Sequence, residues 1–197
     1  MSAQEKLVYT PEIYLELERT ATERSEFVDG DVFMMAGASR KHNTITINLS
    51  SEMHQQLKNR DCQVYSSDMR VNFTEQGDYV YPDVIIACEP QQFDDEHADN
   101  LTNPTVIIEV LSKSTEAYDR GHKFSMYQRL PSLLHYVLVN QNSLQVDHYQ
   151  RKANNQWLLS VLNKKEDCLI IEQLGVGVSL ADIYAKVDLT CETVSTD

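Results

Sequence analysis

The sequence contains no long apolar run and no recognisable export signal. No stretch of its 197 residues approaches the roughly 18 to 20 apolar residues of a membrane span. The segment Met1-Ser2-Ala3-Gln4-Glu5-Lys6 has no basic cluster followed by an apolar region, so no signal peptide is predicted. These absences predict a cytoplasmic protein with no membrane partner.

Closely spaced cysteines are also missing. The four cysteines, Cys62, Cys88, Cys168 and Cys191, lie far apart and form no C-x-x-C pair. Zinc sites and disulfide frameworks are usually marked by short, regular cysteine spacings. We therefore expect reduced core or surface thiols, as is usual for a cytoplasmic protein.

Basic residues are scarce: 17 Lys and Arg stand against 30 Asp and Glu, giving a net charge of −13 at pH 7. This charge opposes simple electrostatic binding to the anionic backbone of a nucleic acid. The objection is not decisive, because divalent cations can offset acids in a site. Local basic residues could still line a groove, namely Arg40, Lys41, Lys58, Arg60, Arg70, Lys113 and Arg120.

The chain, with 42% hydrophobic residues, is predicted to form one α/β (α+β) domain over residues 1–197, with an ordered core of about 10–187. Helices are predicted at 11–19, 39–60, 115–130 and 180–184, the second with a buried stripe of Ile45, Leu49, Met53 and Leu57. Strands are predicted at 62–66, 69–73, 79–87 and 104–111, a hairpin at 26–35, a loop at 91–103, and an antiparallel meander at 135–139, 144–150 and 157–162. The polar tail from Glu192 is predicted to be loose.

Two of these strands are apolar runs interrupted by one carboxylate each, Asp83 in 79–87 and Glu109 in 104–111. A continuous apolar run indicates a strand covered on both faces. A carboxylate there costs several kcal/mol unless a cation or strong donors meet it. With Lys123 on the next predicted helix, the two acids suggest a metal site with a proton handler beside it.

If the two strands are neighbours, both acids can reach one small cation such as Mg²⁺. The backbone carbonyl of Val110 is a plausible further oxygen ligand. Lys123 shares one helix face with Asp119 and Tyr127, where its ammonium could orient or deprotonate an attacking water. A metal ion, a lysine and an attacking water are together the components of a site for phosphodiester hydrolysis.

Each of these residues also has an ordinary structural interpretation. Asp119 and Lys123 have the spacing of a helix ion pair, and Asp83 after Pro82 could be a turn residue. Glu109 could belong to a structural salt bridge, and a lone His42 is typical of a satisfied helix residue. The metal site is favoured over these separate interpretations because all of the residues occur together in one sequence.

Several segments together resemble a known family. They are EFVDGDVFMMAGAS at 26–39, His42-Asn43, Tyr81-Pro82-Asp83-Val84, NPTVIIEVLS at 103–112, STEAYDRG at 114–121 with Lys123, and LADIY at 180–184. They look like the Uma2 family (DUF820), described as restriction-endonuclease-like proteins of the PD-(D/E)xK superfamily. The resemblance implies a mixed central β-sheet flanked by helices.

It further implies that Asp83 and Glu109 bind Mg²⁺ or Mn²⁺, that Glu26 is an additional acid, and that His42 and Tyr127 line the site. The superfamily's usual lysine stands two residues after the second acid, where this chain has Leu111. Lys123 would have to substitute for it from the following helix.

The predicted function is a metal-dependent endonuclease that hydrolyses DNA, by analogy a homodimer because duplex cleavage needs two sites. One alternative is a non-catalytic module that binds nucleic acid or protein and retains the nuclease fold. Another is a small-molecule phosphohydrolase with a closed pocket rather than a groove.

Overall fold

A computed structural model describes residues 9–74 and 77–190 of the chain. The expectations for the first six residues, for Cys191 and for the tail from Glu192 lie outside these ranges. None of the described helices is both long enough and apolar enough to cross a lipid bilayer.

The chain consists mainly of strands, with one long helix and several short helices between them. The helices are α1 (Pro11–Glu18), α2 (Arg40–Leu57), α3 (Glu116–Tyr118), α4 (Phe124–Tyr127) and α5 (Leu180–Ile183), with a π-helical turn at Asp119–Lys123 and 3-10 turns at Ala153–Asn155 and Glu172–Leu174. The strands are β1 (Ser25–Val28), β2 (Asp31–Met34), β3 (Cys62–Ser66), β4 (Arg70–Asn72), β5 (Tyr79–Val80), β6 (Val84–Cys88), β7 (Asn100–Leu101), β8 (Val106–Leu111), β9 (His135–Asn140), β10 (Val146–Arg151), β11 (Trp157–Leu162), β12 (Cys168–Ile171) and β13 (Val176–Ser179).

A six-stranded sheet in the order β11-β10-β9-β8-β6-β3 forms the centre of the fold. Its strands are antiparallel except for β8 and β9, which run parallel. A five-stranded sheet in the order β2-β1-β5-β4-β7 and the β12–β13 hairpin complete the described strands. The predicted α+β architecture with a mixed sheet is confirmed, as is the β9–β10–β11 meander.

Both faces of the central sheet are covered. The predicted stripe of α2, which includes Ile45 and Leu49, packs with Ile86 and Ile108 in one apolar core. On the opposite face, Ile107 packs in a second core with residues from the chain after β8, including Tyr127. Burial on both sides explains why β6 and β8 are apolar at consecutive positions.

The predicted strand at 79–87 is wrong as a single element. It consists of β5 in the five-stranded sheet and β6 in the central sheet. Pro82, between the two strands, has no amide hydrogen and therefore cannot donate to a ladder. As a result, Asp83 stands just before β6 rather than inside a strand, at the point where the chain passes from one sheet to the other.

Three other boundaries differ from the prediction. The helix predicted at 115–130 is interrupted by the π-helical turn and ends at Tyr127. The predicted loop at 91–103 contains β7, which pairs in parallel with β4, and the β12–β13 hairpin was not predicted. The closing helix begins as expected at Ser179, whose side chain accepts a hydrogen bond from the amide of Asp182.

The prediction of reduced cysteines is also wrong for one pair, because Cys62 and Cys88 form a disulfide. The antiparallel register of β3 and β6 sets these two residues directly opposite each other. Spacing along the chain gave no sign of this, since strand pairing decides which distant residues meet. Cys168 is a free, partly buried thiol.

The packing of α2 generates a test of stability. Replacing the fully buried Leu49 by alanine leaves a cavity against the central sheet and should lower the free energy of unfolding by about 2 to 5 kcal/mol. Urea denaturation would measure the loss. The matched control is Ile47→Ala on the same helix, where the side chain is 61% exposed and the change should stay within about 0.5 kcal/mol. Equal losses in the two variants would contradict the assigned orientation of α2.

Candidate functional site

The predicted site residues meet at one cleft of about 900 Å³, between the β1–β2 hairpin, the start of α2 and the ends of β6 and β8. The register that pairs Val84 with Ile108 brings Asp83 level with Glu109. The cleft is lined by all but one of the residues expected there: Glu26, His42, Asp83, Glu109, Val110, Asp119 and Lys123. The exception is Tyr127, which is fully buried beneath it.

Glu109 lies in β8 and is almost completely buried. Its Oε1 accepts hydrogen bonds from Lys123 Nζ at 3.2 Å and from the Tyr127 hydroxyl at 3.0 Å. Burial raises the pKa of Glu109 well above its ordinary value; Lys123 opposes this shift, and the neighbouring carboxylates add to it. Burial likewise raises the pKa of Tyr127, so its hydroxyl stays a donor.

Lys123 is buried among three carboxylates. Its Nζ lies 3.0 Å from Oε1 of Glu26, 3.2 Å from Oε1 of Glu109 and 3.8 Å from Oδ1 of Asp119. Burial alone would lower the pKa of this ammonium, but the three acids raise it well above its ordinary value. Lys123 is therefore a cation at neutral pH, and it donates hydrogen bonds rather than accepting protons.

The π-helical turn places Asp119 and Lys123 in this cluster. Asp119 and Lys123 are its first and last residues, and both are buried. The turn inserts an extra residue into the helix, a distortion that is frequent at functional sites. The Tyr136 hydroxyl donates to the backbone carbonyl of Asp119 at 3.0 Å, and burial raises the pKa of the Asp119 carboxyl, opposed by Lys123.

Asp83 forms the other side of the cleft with His42, from the first turn of α2. Its Oδ2 accepts a hydrogen bond from the amide of Val110 at 2.8 Å and lies 3.1 Å from Nε2 of His42. The aspartate thus bridges α2 and β8, and it is orientated from both sides.

The donor set determines whether a cation can be held here. Within residues 9–74 and 77–190, no three or more His, Cys, Asp or Glu side chains form a ready-made metal cluster. Within the described residues, the hydrogen bonds and ion pairs of Asp83, Glu109 and Glu26 end on one oxygen each, respectively Oδ2, Oε1 and Oε1. The second oxygen of each carboxylate is therefore the candidate ligand atom. A site with one or two protein carboxylates and otherwise water or phosphate ligands is typical of Mg²⁺.

The structure adds two residues that the sequence did not indicate. The Tyr118 ring lies 5.8 Å from Lys123 Nζ in a cation–π contact, and burial raises the pKa of its hydroxyl to about 12. Gln141 is buried at the end of β9 and donates from Nε2 to the carbonyl of Leu111 at 2.8 Å. Tyr118 could have been suspected because it directly precedes Asp119. Nothing in the sequence marked Gln141 as a site residue, because it follows a strand that was predicted only as part of the meander.

Comparison with known proteins places this chain in a family. The model of the Uma2 family, described as "Putative restriction endonuclease", matches residues 11–182. The chain belongs to the Uma2 family. The resemblance seen in the sequence is therefore confirmed over most of the chain.

Two curated relatives come from Synechocystis sp., and both are named as uncharacterised. This Uma2 chain is 40% identical to sll1609 over 155 residues, covering 79% of this chain and 88% of the relative. It is 35% identical to slr1290 over 176 residues, covering 89% of this chain and 90% of the relative.

A solved structure has the same fold. It is the crystal structure from Anabaena variabilis described as "a putative nuclease belonging to DUF820". The TM-score is 0.73 at 17% sequence identity, and the match covers 89% of this chain and 97% of the other. This likeness supports the α+β architecture of the Uma2 chain.

The raised pKa of Glu109 predicts how stability depends on pH. Between its ordinary pKa of 4.5 and its higher folded value, the folded state holds a proton that the unfolded state has lost. The contribution of this group to the free energy of unfolding therefore falls as pH rises through that window. Glu109→Gln keeps an acceptor for Tyr127 and removes the titration.

Urea denaturation at about pH 5 and about pH 8 should therefore show the variant gaining stability relative to the parent at the higher pH. The control is Leu49→Ala, which removes no titrating group and should lower stability equally at both pH values. The raised pKa would be contradicted if the stability of Glu109→Gln changed between the two pH values in the same way as that of the parent.

Proposed function

We propose that this protein is a metal-dependent endonuclease that hydrolyses DNA phosphodiester bonds. The observation that carries the proposal is the convergence of one buried lysine and four acids, drawn from four segments of the chain, on one open cleft: Glu26, Asp83, Glu109, Asp119 and Lys123. Membership of a family described as "Putative restriction endonuclease" supports it.

Asp83 and Glu109 would hold Mg²⁺ or Mn²⁺ through the oxygens that the protein contacts leave, with the carbonyl of Val110 as a further ligand. In that position, such an ion would supply Lewis-acid polarisation of the scissile phosphate. His42 orients Asp83, and Tyr127 orients Glu109, because each contacts its carboxylate directly.

The cationic Lys123 supplies the second part of the chemistry. With its pKa raised, it acts by orienting water and stabilising the negative charge that develops on the phosphorus centre. Glu26 and Asp119 fix its position by direct contact. The sequence left two roles open for Lys123, orienting the attacking water or deprotonating it. Its raised pKa favours the first.

The organisation of the active protein stays a prediction. A single domain over residues 1–197, a homodimer and a cytoplasmic location are each consistent with this function. Duplex cleavage needs two strands to be cut, which is the reason for expecting two copies.

The metal-ligand assignment predicts the effect of two isosteric variants. Asp83→Asn and Glu109→Gln each replace a carboxylate ligand of the cation site by a weaker amide ligand, and each should lower the rate of Mn²⁺- or Mg²⁺-dependent DNA cleavage by about a hundredfold or more. Initial rates on supercoiled and linear DNA would measure this, with urea denaturation to show that the variants fold.

The matched control is Asp29→Asn, an exposed carboxylate in the turn of the β1–β2 hairpin, which also carries Glu26. Asparagine tolerates the positive φ of this position, so the control should cleave as the parent does. Activity of Asp83→Asn equal to that of Asp29→Asn would refute the metal-ligand assignment.

One observation favours the non-catalytic binding module instead. Lys123 already compensates three of the acids, so the folded site is partly neutralised without a cation. Calorimetric titration with Mn²⁺ separates the two proposals. Binding that is lost in Asp83→Asn supports the nuclease, and a parent protein that takes up no cation favours the module.

A further inference from the structure

One wall of the cleft is apolar, although its floor is acidic. The wall begins with Phe33 and Met34, which are 52% and 63% exposed. In the hairpin, Phe33 pairs directly with Glu26, and opposite residues of an antiparallel pair point to the same face. The exposed ring therefore stands beside the carboxylate that contacts Lys123.

A basic pocket of about 400 Å³ lies next to the cleft. Three cationic side chains, Arg40, Lys41 and Lys186, line this pocket together with one acid, Asp188. The local excess of positive charge contrasts with the net charge of −13 of the whole chain.

The pocket and the cleft are neighbours. Ser39 and Gln141 line both of them, and the Ser39 hydroxyl donates a hydrogen bond to Oε1 of Gln141. This hydrogen-bonded pair forms a ridge between the acidic floor on one side and the basic pocket on the other.

The two features match different parts of a nucleic acid. An exposed aromatic ring offers a stacking surface to a base whose face is free, and a basic pocket complements the charge of a phosphate. In a duplex the base faces are stacked inside the helix, so the ring would have no base to cover it. An unpaired strand presents bases and phosphates together.

We propose that the cleft takes a single unpaired strand, with one base stacked on Phe33 and a neighbouring phosphate in the pocket of Arg40, Lys41 and Lys186. This inference rests on the nuclease function proposed above and names its substrate class. It follows from the apolar wall and the basic pocket, neither of which the metal chemistry requires.

The first measurement compares affinities for one labelled oligonucleotide as a single strand and as a duplex. The full-length protein is used in EDTA and in Ca²⁺, with gels to verify that no strand is cut. The single strand should bind at least about tenfold more tightly, since base–aromatic stacking is available to it alone. Equal or tighter binding of the duplex, or no binding of the single strand in either condition, would overturn the inference.

The second measurement tests the aromatic contact. Phe33→Ala should lower single-strand affinity between about 5- and 100-fold, the range typical of one stacked base, whereas Phe33→Trp should retain it. The matched control is Leu159→Ala on β11, a side chain of similar exposure outside the lining of the cleft, which should bind as the parent does. Unchanged affinity in Phe33→Ala refutes the stacking contact.

The third measurement tests the phosphate contact through salt dependence. The double variant Arg40→Gln/Lys41→Gln should reduce the slope of log affinity against log salt by about 0.7 for each phosphate that the variant no longer neutralises. The control Lys164→Gln/Lys165→Gln makes the same change of charge at exposed positions outside the pocket lining, and its slope should match that of the parent. Equal slopes in the two double variants would refute the phosphate contact.

Cleavage is scored separately, so that the two proposals can fail independently. A protein that binds single strands through Phe33 but cuts no DNA contradicts the nuclease and supports the strand assignment. Cleavage of duplex DNA that is as fast in Phe33→Ala as in the parent supports the nuclease and overturns the strand assignment.

Discussion

The burial of the Lys123 ammonium among three carboxylates is the interaction on which the architecture of this protein depends. An isolated charge in such a place would cost several kcal/mol, and the mutual contacts offset that cost. Glu26 belongs to the five-stranded sheet and Glu109 to the six-stranded sheet, while Lys123 ends the π-helical turn. One side chain therefore joins both sheets to the helical segment between β8 and β9, and the same contacts that hold the fold form the floor of the cleft.

The segment that links the two sheets also contacts the cluster around Lys123. The chain leaves β5, turns through Pro82 and enters β6 with Asp83 at the cleft. The amide of Tyr81 in this passage donates to Oε1 of Glu26 at 3.1 Å, the oxygen that also contacts Lys123. Loss of strand pairing at the proline is thus compensated by a site residue, and the interruption delivers an acid where a continuous strand would have kept it in the sheet.

Local patterns in the sequence were sufficient for most of the elements and for naming the residues that meet at the cleft. The stripe of α2, the meander and the family followed from periodicity and motifs, and Glu109 stood out because an acid in an apolar run needs a partner. What could not be predicted depends on which distant segments meet: the Cys62–Cys88 bond follows from the register of β3 and β6. Similarly, the role of Gln141 depends on a carbonyl of another strand. The metal, the substrate and the roles of the acids stay predictions, because neither the fold nor the family description tests them.

The ridge of Ser39 and Gln141 has a consequence for the geometry of the cleft. Gln141 is held at both ends of its amide, by Ser39 at the beginning of α2 and by the carbonyl of Leu111 at the end of β8. The step between the acidic floor and the basic pocket is therefore fixed by the main helix and the central sheet, not by a loose side chain. The separation of the two depressions is therefore held constant, so that a chain-like ligand would contact both of them at once, whereas a small anion would occupy only one.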